Sequence, residues 1–190
     1  MSESEKKDEI YIESGPYTAK DFYEKTGDQL AELVNGDIVM LAAPSTLHQT
    51  ILGDVFADIK NYIRKNGGDC SVFPAPFDVK LNDKNVFEPD ISVICDKNKL
   101  TEKGCVGAPD WVVEIVSPST ARNDYLRKLN AYGDAGVKEY WIIDPHKKQI
   151  LTYIFETGYA PVIYNFSDAI PVWIYDGGLK IKLLQCNKRI

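Results

Sequence analysis

Phe87-Glu88-Pro89-Asp90-Ile91-Ser92-Val93-Ile94, then Asp110-Trp111-Val112-Val113-Glu114-Ile115-Val116, then Ser117-Pro118-Ser119-Thr120 running on to Lys128, is the stretch that decides the fold. The first two segments are short, rich in β-branched residues and bounded by turn-formers, so both are predicted strands. Each carries an acid. Glu114 lies inside an otherwise apolar run, where an unpaired carboxylate would cost several kcal/mol or take up a proton. The surrounding chain must therefore supply a cation, a metal or a raised pKa. Ser117-Pro118-Ser119-Thr120 is a helix-start signature with Ser119 or Thr120 as cap, and the helix is predicted to reach about Asp134. Tyr125, Leu126, Leu129 and Tyr132 form its buried face. Lys128 falls at the border of that face, with Asp124 four residues earlier as a possible surface ion-pair partner.

Ahead of this stretch, Thr18 is a candidate cap for a helix to Lys25, with Asp21 in its first turn. Asn35-Gly36 between Ala31–Val34 and Asp37–Leu41 is a strong short hairpin signal, because both turn positions tolerate positive φ. Glu32 would sit on the first strand of that hairpin, either facing solvent or joining an acidic cluster. Ser45-Thr46 opens a helix to about Lys65, in which Ile51, Leu52, Val55, Phe56, Ile59, Tyr62 and Ile63 recur at helical spacing. Asn66-Gly67-Gly68 closes it. His48 stands at the start of the same stripe, as a packing residue or a site residue. Cys70–Leu81 reads as extended chain interrupted by Pro74 and Pro76, and a polar loop joins the two central strands. Behind the Lys128 helix, Val137–Ile143 reads as a buried strand stopped by Asp144-Pro145, Gln149–Phe155 as its hairpin partner, and Ile170–Leu184 as short strands around Asp176-Gly177-Gly178.

The order helix, strands, helix, strand implies an α/β (α+β) domain: a central mixed β-sheet flanked by two helices, with an N-terminal β-hairpin and C-terminal β extensions. At 190 residues and 44% hydrophobic, the chain fits one such domain over residues 16–190. Residues 1–15 read as a flexible tail; Met1 to Glu9 is charged, unlike a signal peptide. No apolar run approaches the roughly 18 residues of a membrane helix. The four cysteines, Cys70, Cys95, Cys105 and Cys186, form no C-x-x-C pair, so reduced thiols and a cytoplasmic location are the expectation. Two histidines are too few for a multi-histidine metal centre. Carboxylates would hold any metal, which favours Mg or Mn over zinc. A net charge of −6 argues against coating nucleic acid through the overall field, yet allows a local basic face. Arg122, Arg127, Lys97, Lys99 and Lys103 are candidate contacts, dispersed along the chain.

If the Asp90 and Glu114 strands lie side by side, the two carboxylates approach each other. A hard divalent ion between them would relieve their repulsion and leave room for water and a phosphate. A neighbouring lysine would orient or deprotonate the attacking water and balance charge in the transition state.

Pro89-Asp90 followed by Glu114 resembles the PD-(D/E)xK nuclease signature, although the position two residues beyond the second acid is Val116 instead of lysine. A longer set falls in order: Glu32-Leu33-Val34-Asn35-Gly36, Pro44 with His48, Glu88-Pro89-Asp90, Glu114 to Ser119, Asp124 with Lys128, Tyr132, Gly136-Val137, Glu139-Tyr140-Trp141 and Asp144-Pro145. By these residues the chain resembles the Uma-type (Uma-two) restriction endonuclease family, formerly a domain of unknown function, within the PD-(D/E)xK nuclease superfamily. The resemblance runs from about Thr18 to the C-terminus. It implies a restriction-endonuclease-like core and metal-dependent hydrolysis of DNA phosphodiesters. Asp90 and Glu114 would be metal ligands, Lys128 a catalytic lysine that has migrated to the following helix, and Glu32 and His48 further site members. A homodimer or higher homo-oligomer is expected of an enzyme that cuts both strands. Two other readings fit the residues less fully. In a non-catalytic nuclease-fold module binding nucleic acid or protein, Glu114 and Lys128 would be a buried structural pair. A paired-carboxylate glycosidase would give Lys128 no role.

Overall fold

In a computed structural model, residues 12–116 and 121–183 are described; the side chains of Ile12 and of residues 121–126 are not. Along the chain these residues form β1 (Ile12–Glu13), α1 (Ala19–Thr26), β2 (Ala31–Val34), β3 (Asp37–Met40), α2 (Thr46–Asn66), β4 (Ser71–Pro74), β5 (Asp78–Asn82) and β6 (Asn85–Phe87). There follow β7 (Ile91–Ile94), β8 (Gly104–Val106), β9 (Trp111–Ile115), α3 (Ala121–Ala135), β10 (Glu139–Asp144), β11 (Gln149–Ile154), β12 (Val162–Asn165), β13 (Ile170–Pro171) and β14 (Lys180–Ile181).

The main sheet has the order β12-β11-β10-β9-β7-β4. Its middle is the expected pair: β7 runs antiparallel to β9, and β10 runs parallel to β9. Side chains alternate across β9. Trp111, Val113 and Ile115 pack with Ile51, Leu52, Val55 and Ile59 of α2, while Val112 packs with Leu129 and Tyr132 of α3. The sheet is thus buried on both faces between the two helices. Glu114 shares the α3 face of β9 with Val112.

The hairpin is larger than expected. The β2–β3 turn uses Asn35 at φ 54° and Gly36 at φ 90°, as a two-residue hairpin loop requires. These strands belong to a second six-stranded sheet, β1-β3-β2-β6-β5-β8. The predicted strand beginning at Phe87 is therefore two strands, one in each sheet, broken at Glu88-Pro89-Asp90. Proline cannot donate to a ladder, so the break comes where the chain changes sheet. β1 pairs with β3 ahead of the expected boundary at residue 16. The polar loop supplies the short strand β8, and β12 is a further strand that its exposed, unpatterned sequence did not announce.

α1 and α2 begin where expected. Thr18 forms a reciprocal capping box with Asp21, and the Ser45 side chain accepts from the His48 N–H. The predicted cap at Ser119 or Thr120 lies outside the described residues. One expectation is corrected: Cys70 and Cys95 form a disulfide. The β4–β7 register pairs Ser71 with Ile94, so the next residues outward are the two cysteines, a juxtaposition invisible in their 25-residue separation. Cys105 is buried and free. Among the described residues no helix is long and apolar enough to cross a membrane.

Candidate active site

Asp90 stands just before β7 and Glu114 near the end of β9. Ile91 pairs with Val113, and one further step of that antiparallel register brings Asp90 opposite Glu114. Asp90 Oδ2 also accepts the Ile115 N–H at 2.7 Å, which fixes the carboxylate at the sheet end. From the other layer, His48 in the first turn of α2 puts Nε2 3.1 Å from the same carboxylate.

α3 covers Glu114 from above. Lys128 and Tyr132 are four residues apart, on one face of the helix. Lys128 Nζ donates to Glu114 Oε1 at 3.1 Å, and the Tyr132 hydroxyl donates to the same oxygen at 2.8 Å. Lys128 Nζ also donates to Glu32 Oε1 at 2.8 Å. Glu32 arrives from β2 in the second sheet and accepts the Glu88 N–H at 2.9 Å. Lys128, Glu32 and Glu114 are 9%, 3% and 8% exposed, so the ion triad is buried. The sequence left Glu32 open between solvent and cluster; the structure puts it in the cluster.

More negative than positive charge meets here. Burial, with Asp90 and Glu32 nearby, pushes the Glu114 carboxyl up to about 7 against the opposing pull of Lys128 and the Tyr132 hydrogen bond. Burial and the charges of Asp78 and Glu32 likewise push Glu88 up to about 7. Burial alone would depress Lys128, but Glu114 and Glu32 outweigh it and hold the ammonium above its ordinary value. For His48, too, burial is outweighed by the hydrogen bond and charge of Asp90, and its imidazole is raised. Lys128 is consequently a cation in this site, with one N–H beyond the two carboxylates it serves.

Among the described residues no group of three or more His, Cys, Asp or Glu is arranged to hold a metal. The donor set nevertheless fits a hard divalent cation of the Mg type. Such ions bind through one or two carboxylates plus waters and substrate phosphate, and Asp90 and Glu114 are two opposed carboxylates with unneutralised charge. Among the described residues, Lys128 and Tyr132 both use Glu114 Oε1, and none donates to Oε2.

All five predicted site residues, Asp90, Glu114, Lys128, Glu32 and His48, come together through these contacts. Val116, where the signature would have its lysine, is half-buried and gives its N–H to the Ile143 carbonyl. The Asp124 side chain lies outside the described residues, as does that of Arg122. The dispersed lysines have other work: Lys97 pairs with Asp69, and Lys99 Nζ donates to the Ala108 carbonyl. Two members escaped the sequence reading. Glu88 was visible only as the neighbour of Pro89-Asp90. Tyr132 read as core, although its spacing from Lys128 was a usable signal.

Comparison with known proteins places this geometry in context. The profile of the Uma2 family, described as "Putative restriction endonuclease", matches residues 19–175. The uncharacterized protein slr1290 of Synechocystis sp. is 27% identical over 124 residues, 64% of each chain, so the match spans a little under two thirds of that relative's length. The crystal structure of a putative nuclease belonging to DUF820 from Anabaena variabilis superposes with a TM-score of 0.76 at 19% identity. It covers 91% of this chain and 98% of the other, a likeness of fold.

Proposed function

The chain belongs to the Uma2 family, and from that premise we propose that it is a metal-dependent endonuclease hydrolysing DNA phosphodiester bonds at the Asp90–Glu114 cluster. The observation that carries this reading is the buried Glu32–Lys128–Glu114 triad set against Asp90. It concentrates more negative charge than the described residues neutralise, at the end of β9. Asp90 and Glu114 would hold Mg or Mn, which when bound polarises the phosphate and lowers the pKa of a water. Glu32 and Glu114 hold the Lys128 ammonium in place and keep it charged. Its remaining N–H is then available to a phosphate oxygen, so Lys128 balances charge in the transition state. A lysine kept protonated in this way is a poor base, so its role is electrostatic. Tyr132 and the Ile115 N–H orient the two ligating carboxylates, as hydrogen bonds around metal ligands commonly do. His48 orients Asp90 from α2.

A second reading has one observation in its favour. Two of the three Lys128 donors are already used within the protein, as in a structural ion triad of a non-catalytic nuclease-fold module. Supercoiled plasmid with Mg or Mn, together with Asp90→Asn and Lys128→Ala, separates the two. Metal-dependent nicking that is lost in both variants supports the nuclease. If calorimetry then finds no Mn binding, and no DNA is cut, the non-catalytic module is the better account. The same plasmid assay, run at graded enzyme concentration, tests the expected homodimer.

A further inference from the structure

Beside the acid cluster, α3 turns a second strip toward the other sheet. Arg127, Asn130 and Asp134 share it, spaced i, i+3 and i+7. Opposite lie Asn35 at the β2–β3 turn and Asn82 at the end of β5. Between the two sides is a cavity of about 440 Å³ whose apolar lining is Leu81, Ala131 and Ala135. Its rim is built. Asn85 is buried; its Oδ1 accepts the Asn35 N–H at 2.9 Å and its Nδ2 donates to Asn82 Oδ1 at 3.2 Å, tying two turns together.

The polar groups are arranged by charge. Among the described residues Arg127 pairs only with Asp37, at 4.0 Å, the outer limit of an ion pair, and its side chain is half exposed. A half-exposed guanidinium offers a planar fork of donors suited to a phosphate. Asp134 lies seven residues on, about 10 Å along the helix at roughly 1.5 Å per residue. A simple anion would use Arg127 and be repelled by Asp134. A ligand with an anion at one end, a flat apolar body and a hydrogen-bond donor at the other satisfies both, and the span is that of a nucleotide from phosphate to base edge. The Asn130 side chain, without a hydrogen bond among the described residues, stands between them. Arg127 immediately precedes Lys128, so the phosphate end is the one nearer the acid cluster.

We propose that this cavity takes one nucleotide of the DNA strand flanking the cleaved phosphate, with its phosphate on Arg127 and an amino-bearing base edge on Asp134. The placement next to the cleaved bond rests on the nuclease reading; the nucleotide site itself rests on the cavity.

The test is a metal-free NMR titration of the full chain with dCMP, dTMP and the base-less deoxyribose 5-phosphate. The two nucleotides differ at ring position 4, an amino donor in one and a carbonyl in the other; thymine also carries a 5-methyl and an N3–H, so the Asp134 variant is what assigns a preference to this contact. Asp134 accepts from the first and repels the second, so dCMP should bind about tenfold more tightly than dTMP. Asp134→Asn should abolish that preference. Arg127→Ala should weaken dCMP about tenfold, as loss of a charge-assisted pair does. Asp90→Asn should leave binding unchanged. Equal binding of dCMP and the base-less phosphate, a preference that survives Asp134→Asn, or no binding would each overturn the proposal. Plasmid nicking without nucleotide binding would sink the cavity and spare the nuclease. Binding as expected without nicking would uphold the nucleotide site and sink the nuclease.

Discussion

Lys128→Met is the substitution that most directly tests how the site is held together. It removes the single ammonium shared by Glu32 and Glu114 while keeping a side chain of similar length in the space. Both carboxylates are then buried without their cation. Removing one partner of a buried ion pair costs about 3–5 kcal/mol, and a chain of this size loses roughly 2–4 °C of Tm per kcal/mol, so a fall of roughly 6–20 °C is expected. The pH dependence separates electrostatics from packing. Glu114 is pushed up to about 7 by burial even with Lys128 beside it, and without Lys128 it moves higher. For a carboxyl raised above its unfolded value of 4.5, the associated stability is complete below that value and is lost as pH rises through the folded value. The defect of the variant should therefore be smaller at pH 5 than at pH 8. Replacing all three members, with Glu32→Gln and Glu114→Gln added, should recover most of the loss, since neutral substitutes for a whole buried ion triad are well tolerated. Thermal unfolding followed by circular dichroism reads the fall in Tm, and urea unfolding at the two pH values reads the pH dependence and the recovery. A defect of equal size at pH 5 and pH 8, or no recovery in the triple variant, would refute the charge argument and leave only lost packing.

Three further outcomes follow from the same geometry. Plasmid nicking should rise with pH through about 7, because Glu114 must give up its proton to hold a cation; a flat profile between pH 5.5 and 8.5 would contradict the raised carboxyl. Tyr132→Phe removes a hydrogen bond that lowers the Glu114 carboxyl, so that profile should move to higher pH, with about 1–2 kcal/mol of stability lost to the missing bond; an unmoved midpoint would mean that the hydroxyl does not touch the reactive carboxylate. Reduction of Cys70–Cys95 reopens a loop of 25 residues, worth about 3.5 kcal/mol by chain entropy; identical unfolding curves with and without reductant would show that the bond is absent or idle in solution.

What the sequence revealed and what it hid divides along physical lines. Local signals were reliable: the Thr18 and Ser45 caps, the Asn35-Gly36 turn and the apolar stripe of α2 each depend on residues a few positions apart. The acid of β9 was legible because an ionisable residue in an apolar run has few explanations. Long-range partners were not. Glu32 and Lys128 are 96 positions apart, and no pattern within β2 says that its second residue turns inward to meet α3. The split between β6 and β7 was hidden for a related reason: Pro89 marks a break, but only pairing with β2 on one side and β9 on the other shows that the break joins two sheets. Cysteine spacing failed in the same way, because register, not sequence distance, decides which thiols meet.

Glu139 shows why burial of an acid is not by itself a sign of chemistry. It is fully buried at the start of β10, next to β9 in the same sheet, and burial raises its carboxyl as it does that of Glu114. Its partners, however, are the Trp141 indole N–H and the Trp173 and Ile174 backbone N–H groups, neutral donors that tie the C-terminal extension to the sheet. Those hydrogen bonds satisfy its oxygens, and among the described residues no other acid shifts it. Glu114 is instead held by a charged lysine while Asp90 and Glu32 oppose its ionisation. That is an arrangement with an unmet demand for positive charge. Val116, two residues beyond Glu114, packs at the end of β9 against the α3-side core, and Lys128 descends from α3 onto the buried carboxylate itself. There Glu32, from a different sheet, can hold it from a second side. Lys128 thus ties α3 to both sheets at once, and loosening of either sheet should be felt at the cluster.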